Sequence, residues 1–94
     1  MVSEPPPPVA VIIAPPTADT VAPVIFDGSA SISDAGITSY QWAMGDGTLL
    51  EGAQVEYTFT TAGNFTVTLT VTDAYGQQGT TTWDIMVYAA MPAP

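Results

Sequence analysis

Apolar and polar residues alternate with a period of two along much of this chain. In NFTVTLTVTD, residues 64–73, every second side chain from Phe65 to Val71 is apolar, and the side chains between them are threonines. Strict alternation of β-branched residues is typical of a strand that buries one face. The pattern therefore predicts a long, half-buried strand in this segment.

Similar runs predict further strands at residues 9–14, 21–26, 37–44, 54–59 and 80–88, with a short strand near Leu49-Leu50. The segments between them, including PPTADT at 15–20, are rich in Gly, Pro, Asp and Ser and predict turns. A helical period of 3.6 residues is absent from the sequence. Seven short strands predict an all-β fold, an immunoglobulin-like seven-stranded Greek-key β-sandwich.

The length of 94 residues suits one small domain. Proline-rich segments at 1–8 and 89–94 predict extended linkers on either side of a domain at 9–88. A membrane-spanning helix needs about 20 apolar residues in a row. The sequence contains no run of that length, so membrane insertion is not expected.

The chain has nine acidic residues and no Lys, Arg or His, which gives a formal net charge of −9. Side-chain salt bridges cannot form, and the carboxylates repel one another to an extent that salt screens. Nucleic acid is not expected as a partner because no cation is present to neutralise phosphate. In isolation the chain is expected to be a monomer.

The missing residue types also limit catalysis. Without Cys or His there is no thiol nucleophile, no Ser-His-Asp triad and no zinc site of the usual kind. Without Lys or Arg there is no Schiff base and no clamp for a phosphoryl group. Paired carboxylates such as Glu51 and Glu56 remain, but no pattern indicates a substrate cleft. The sequence thus predicts a protein that is not an enzyme and requires no cofactor.

Four motifs occur in a fixed order: VIFDGSAS at 24–31, ITSYQWAMGDGT at 37–48, VEYTF at 55–59 and AGNFTVTLTVTD at 62–73. In order and spacing they resemble a PKD domain, the polycystic-kidney-disease repeat, over essentially residues 9–88. The residues that carry the structural signature are Asp27, Trp42 and the turn Gly45-Asp46-Gly47. Tyr57 stands where the family usually has His, and the loop at 30–38 has one Asp where two are common.

The resemblance implies a non-catalytic extracellular spacer or interaction module, part of a larger secreted or cell-surface microbial protein. Its partners would be neighbouring domains of the same polypeptide. The alternative is an accessory module of a degradative enzyme that binds an insoluble polysaccharide or a collagen-like protein polymer.

Two carboxylates predict a candidate calcium site. The strand order places Asp34 and Asp73 at the same end of the sandwich, with Ser33 nearby, and the resemblance implies calcium at this end in some relatives. Calcium takes six to eight oxygen ligands. The other interpretation is that these are ordinary turn residues, as we expect for Asp46 and Asp27.

Three aromatic residues are candidates for contact with a polymer: Tyr75, Trp83 and Tyr88. Tyr75 lies in a predicted loop, and Tyr88 lies on the outward face of the last strand. Trp83 shares the inward face with Ile85 and Val87, so it is also a candidate core residue. Trp42 is expected in the core.

Overall fold

The computed structural model describes residues 6–89. Residues 1–5 and 90–94, which make up most of the two predicted linkers, lie outside the described residues. Within the described range no helix is long and apolar enough to cross a membrane. The described residues form seven strands: β1 Thr17–Asp19, β2 Val24–Asp27, β3 Ile37–Ala43, β4 Leu49–Glu51, β5 Gln54–Tyr57, β6 Gly63–Asp73 and β7 Gln78–Tyr88. The predicted all-β fold is confirmed.

The strands form two hydrogen-bonded sheets. The large sheet has the order β1-β7-β6-β3-β4, and the small sheet pairs β2 with β5. The antiparallel β6–β7 pair runs from Gly63↔Val87 to Thr72↔Gln78. The predicted alternation in β6 is present, because Val67, Leu69 and Val71 are fully buried while the intervening threonines are not.

The core lies between the two sheets. Phe26 on the small sheet contacts Trp42 on the large sheet, with ring centroids 5.9 Å apart, and meets Phe59 edge-on at 6.2 Å. Such offset and edge-to-face contacts add to the stabilisation from buried apolar area. The indole N–H of Trp42 donates to the carbonyl of Gly52 at 2.8 Å, so the buried ring leaves no donor unpaired.

The amino-terminal segment differs from the prediction. Residues 9–14 were expected to form a strand, but they contribute only two isolated antiparallel bridges to the small-sheet layer, Val9↔Ile32 and Ile13↔Asp27. Pro15 and Pro16 follow, and a proline has no N–H with which to extend a ladder. The segment therefore leaves the small-sheet side at this point.

The expected turn at residues 15–20 contains strand β1 instead. β1 pairs in parallel with the end of β7, from Thr17↔Met86 to Asp19↔Tyr88. The amide of Met86 also donates to the carbonyl of Pro16 at 3.1 Å. The prediction of a turn over the whole of 15–20 is wrong because this pairing depends on a strand distant in sequence.

Pro8 and β7 approach each other closely at Gly79. A Cβ atom at Gly79 would lie 2.0 Å from the carbonyl oxygen of Pro8, which is itself buried. Further along β7, the indole N–H of Trp83 donates to the carbonyl of Pro15 at 3.1 Å. The amino-terminal segment is thus attached to β7 at several points along its length.

The loops gather at two poles. The N-terminal pole contains Pro8, the β2–β3 loop and the β6–β7 loop; the C-terminal pole contains the Gly45-Asp46-Gly47 turn, the β5–β6 loop and the end of β7. β7 has eleven residues, a length of about 36 Å at the usual rise per strand residue. The two poles are therefore separated by the full length of β7.

Candidate functional site

Asp73 is a buried carboxylate at the N-terminal pole. The residue is 2% exposed, and its Oδ1 accepts hydrogen bonds from the amides of Tyr75 and Gln77, both at 2.9 Å. Its Oδ2 is buried with no hydrogen-bond partner among the described residues. Two amide donors to one oxygen fix the loop between β6 and β7. The other oxygen has the chemistry to accept from water or to bind a cation.

The turn at residues 33–36 packs beside this loop, since the amide of Ala74 donates to the carbonyl of Gly36 at 3.1 Å. Ser33 Oγ accepts from the amide of Ala35 at 3.2 Å, and Asp34 is exposed. Within residues 6–89, no group of three or more acidic, His or Cys side chains could hold a metal ion. Ser33, Asp34 and Asp73 would supply only part of a calcium shell. The two interpretations, a calcium site and ordinary turn residues, therefore both stay predictions.

Asp46 lies in the turn at the C-terminal pole. Gly45 and Gly47 adopt φ of +89° and +96°, which glycine reaches without strain. Oδ1 of Asp46 accepts from the amide of Thr48 at 3.0 Å. Its Oδ2 accepts from the hydroxyl of Tyr57, which also lies 3.1 Å from Thr48 Oγ1. The turn beyond β3 is therefore joined to β5 of the small sheet.

This contact between the sheets changes the pKa values of both the Asp46 carboxyl and the Tyr57 hydroxyl. Burial alone would raise the pKa of Asp46, but hydrogen bonds from Tyr57 and Thr48 outweigh burial and lower that pKa. The hydrogen bond to Asp46 raises the pKa of the Tyr57 hydroxyl. Sequence reasoning predicted the turn but missed its partner. The available signal was Tyr57 itself, at a position where the resembling family usually has His.

Asp27 and Asp19 fix loops in the same local way. Oδ1 of Asp27 accepts from the hydroxyl of Ser29 at 2.6 Å and from its amide at 2.8 Å, and these bonds lower the pKa of Asp27. Oδ1 of Asp19 accepts from the amides of Val21 and Ala22, which lower the pKa of Asp19. The predicted strand at 21–26 begins only at Val24, because residues 20–23 form this turn.

The candidate contact aromatics lie on different parts of the molecule. Tyr75 is exposed in the β6–β7 loop, whereas Tyr88 is exposed at the opposite end of β7. Trp83 is half-buried, hydrogen-bonded to Pro15, and five residues from Tyr88, so the two side chains point to opposite faces of β7. The structure does not bring the three together, and a single face made of all three does not form.

Sequence reasoning missed a groove on the outer face of the large sheet. It has a volume of about 260 Å³ and crosses β4, β3 and β6. The side chains that line its outer surface are Gln41, Ala43, Leu49, Glu51, Thr68 and Thr70. The threonine face of β6 was predicted to point outward, but the groove also depends on the β3–β4 pairing, which the local pattern does not specify.

Comparison with protein families matches residues 5–87 to the model described as PKD domain. The Pre-pro-metalloprotease PrtV of Vibrio cholerae serotype O1 (strain M66-2) is 40% identical over 57 residues, 61% of this chain and 6% of that protein. The Dyslexia-associated protein KIAA0319 homolog of Mus musculus is 33% identical over 97 residues, 94% of this chain and 9% of that protein. The chain spans less than a tenth of either relative.

Solved structures share the fold closely. The PKD1 domain of Vibrio anguillarum Epp has a TM-score of 0.80 and 31% identity, covering 93% of this chain and 100% of that chain. The PKD1 domain of the Vibrio cholerae metalloprotease PrtV has a TM-score of 0.74 and 35% identity, covering 86% and 96%. A structure described as explaining the promiscuous specificity of carbohydrate-binding modules from the β-sandwich superfamily has a TM-score of 0.89 and 31% identity. It covers 95% of this chain and 37% of that chain.

Proposed function

Because this chain belongs to the PKD domain family, we propose that it is a non-catalytic module that separates and contacts neighbouring domains of a larger polypeptide. The proposal includes a secreted or cell-surface location. A chain without Lys or Arg offers no cleavage site to trypsin-like proteases, which suits an extracellular position. The carboxylates with lowered pKa values, Asp19, Asp27 and Asp46, each accept hydrogen bonds that fix a turn or loop. Their lowered pKa values therefore have a structural cause.

The observation that carries the proposal is the separation between Pro8 and Tyr88, near the two ends of the described residues. Pro8 packs beside Gly79 near the start of β7, and Tyr88 ends the same strand. The full length of β7, about 36 Å, therefore lies between the point where the chain enters the domain and the point where it leaves. A module built this way keeps its neighbours apart along one axis.

A distance measurement between the two ends tests this role. The chain has no cysteine, so Pro7→Cys and Ala89→Cys can carry the only two spin labels. We expect electron–electron distances in a narrow distribution centred at about 35–40 Å. A pair at one pole, Pro7→Cys with Tyr75→Cys, is the matched control and should give a shorter distance. A broad distribution for the first pair would contradict a fixed spacing.

The groove on the large sheet favours a second candidate function, an accessory module that binds a polymer. The Gln41 amide, the Glu51 carboxylate and the hydroxyls of Thr68 and Thr70 can exchange hydrogen bonds with sugar hydroxyls. The fold likeness to the structure of carbohydrate-binding modules supports this candidate.

Pull-down on chitin, cellulose and collagen tests polymer binding. If the groove binds, a Gln41→Ala/Glu51→Ala variant should lose retention while Tyr75→Ala keeps it. Loss of retention in Tyr75→Ala or Trp83→Ala, with the groove variant unaffected, would instead favour contact through aromatics. No retention on any of the three polymers contradicts this candidate for these ligands.

A further inference from the structure

The outer side of the small-sheet layer carries four exposed aliphatic side chains beside the polar Gln54 and Glu56 of β5. Val9, Ile13, Ile25 and Ile32 are 57%, 57%, 42% and 63% exposed, and we call these four residues the apolar face. Their neighbours Ile12, Val24 and Phe26 point the other way and are buried in the core. Because successive strand residues alternate between faces, the four exposed side chains lie on the side away from the core.

Backbone pairing brings these side chains next to one another. Val9 and Ile32 form a bridge with both hydrogen bonds made, at 2.8 and 2.9 Å. Ile13 forms the second bridge with Asp27, which is two residues from Ile25 on the same face of β2. The apolar face therefore consists of the Val9–Ile32 pair and, four residues further along the same segment, Ile13 with Ile25 diagonally across from it.

Single exposed apolar residues are common on proteins, but contiguous apolar surfaces mark sites of interaction. The outer face of the large sheet provides a comparison within the same molecule. There, β6 and β7 present paired threonines, Thr68↔Thr82 and Thr70↔Thr80. The two outer faces thus differ in chemistry: paired threonines occupy the centre of the large sheet, whereas exposed valine and isoleucine side chains occupy the small-sheet side.

The acidic border of the apolar face selects the kind of partner. Asp27 lies opposite Ile13, and Glu56 lies opposite Ile25. A second copy of this chain has no Lys, Arg or His to place against these carboxylates and carries the same net charge of −9. Juxtaposed like charges oppose association, whereas a surface with cations next to apolar side chains would complement both features.

We propose that the apolar face docks a neighbouring domain of the same polypeptide, through a surface that combines apolar side chains with Lys or Arg. Val9 directly follows Pro8, so the face begins at the N-terminal pole where the chain enters the domain. A domain tethered at that pole has a high effective concentration at the face. This inference rests on the proposed function as a module within a larger polypeptide.

The test uses the full chain and a peptide of alternating leucine and lysine as the probe, followed by methyl NMR. The methyl signals of Val9, Ile13, Ile25 and Ile32 should shift on titration and shift less at high salt. A serine–lysine peptide of the same length and charge should bind at least about tenfold more weakly because it buries little apolar area.

Variants that keep the net charge locate the site. Ile13→Thr/Ile25→Thr should weaken binding of the leucine–lysine peptide by about tenfold. Leu49→Thr, which removes a 76% exposed side chain from the large sheet, is the matched control and should not. If thermal melting shows that the double variant is unfolded, Ile32→Thr alone should give a smaller loss in the same direction.

Several results would overturn the proposal. They are methyl shifts confined to the large sheet, equal affinity for the two basic peptides, and equal affinity of the double and control variants. Dimerisation of the chain that the double variant abolishes would assign the face to a second copy instead. The spin-label distances are independent of these results. A narrow distance distribution without peptide binding would contradict only the docking proposal. A broad distance distribution with peptide binding would contradict only the spacing role.

Discussion

Gly79 leaves room at the point where the carbonyl of Pro8 packs against β7. We expect Gly79→Ala to destabilise the domain by about 1–3 kcal/mol, because the new Cβ would overlap the Pro8 carbonyl and force the backbone apart. Urea unfolding measures the change. Thr80→Ala, at the next and exposed position, is the control and should change stability little. Equal unfolding midpoints for the two variants would contradict the close contact.

The contact between Asp46 and Tyr57 makes the stability of the folded domain depend on pH. The folded-state pKa of Asp46 lies below its ordinary value of 3.8. Its contribution is therefore present above that ordinary value and is lost as the pH falls through the lower folded-state pKa. Tyr57→Phe removes a donor, so we expect the pKa of Asp46, followed by carboxyl NMR, to rise. Tyr75→Phe, at the other pole, should leave it unchanged, and no rise in Tyr57→Phe would contradict the assigned contact.

At the scale of elements, Trp83 connects β7 to the segment before β1. Trp83→Phe removes the N–H donor to Pro15 while it keeps an aromatic ring. We expect faster hydrogen exchange at the amide of Met86, whose acceptor is Pro16, because the adjoining segment is less firmly held. Thr82→Ala on the opposite face of β7 is the control. Unchanged exchange in Trp83→Phe would show that the parallel pairing holds without the indole bond.

The same elements show what a local pattern can predict. β6 and β7 were predicted nearly to their ends because alternation, burial and β propensity all agree within each run. β1 was missed because its three residues pair with a strand about seventy positions away and follow two prolines that locally resemble a turn. Residues 9–14 have the composition of a strand, but they pair at only two positions.

The residues of the candidate sites also fall into two groups, those that local sequence rules predict and those that depend on contacts between distant elements. Trp42 and the roles of Asp46 and Asp27 in turns follow from short-range rules about parity and Asp side chains. The Tyr57 contact, the Pro15 acceptor and the groove each require two elements to meet. No local pattern in the sequence specifies the strand register that brings these elements together.

For the whole molecule, the charge of −9 predicts a dependence on salt. Screening weakens repulsion among the carboxylates, and no side-chain ion pair exists to be weakened in return. We expect the melting temperature to rise from low salt to molar NaCl, by about 4–8 °C for each kcal/mol of repulsion relieved. Glu56→Gln/Asp84→Asn, which removes two exposed charges, should show a smaller rise. A constant or falling melting temperature would contradict the repulsion.

Comparing the melting temperature in CaCl₂ and in NaCl at equal ionic strength distinguishes charge screening from calcium binding at a specific site. Binding by Ser33, Asp34 and Asp73 would raise the melting temperature in CaCl₂ above that in NaCl, and Asp34→Asn would remove the difference. Because these residues supply few of the oxygens that calcium needs, we expect the two salts to agree and EDTA to have no effect. A calcium-specific rise would instead establish the site.

The parallel pairing of β1 with β7 also determines how the domain would respond to tension. Force on the amino-terminal end pulls β1 toward the N-terminal pole, and force on the other end pulls β7 toward the C-terminal pole. The two strands are then loaded in shear, so the hydrogen bonds between Thr17–Asp19 and Met86–Tyr88 bear load together rather than opening one by one. The bridges at Val9 and Ile13 precede β1 along the chain, so a stretched chain would open them first and reach this short pairing next, while the β3–β6–β7 layer remained folded behind it.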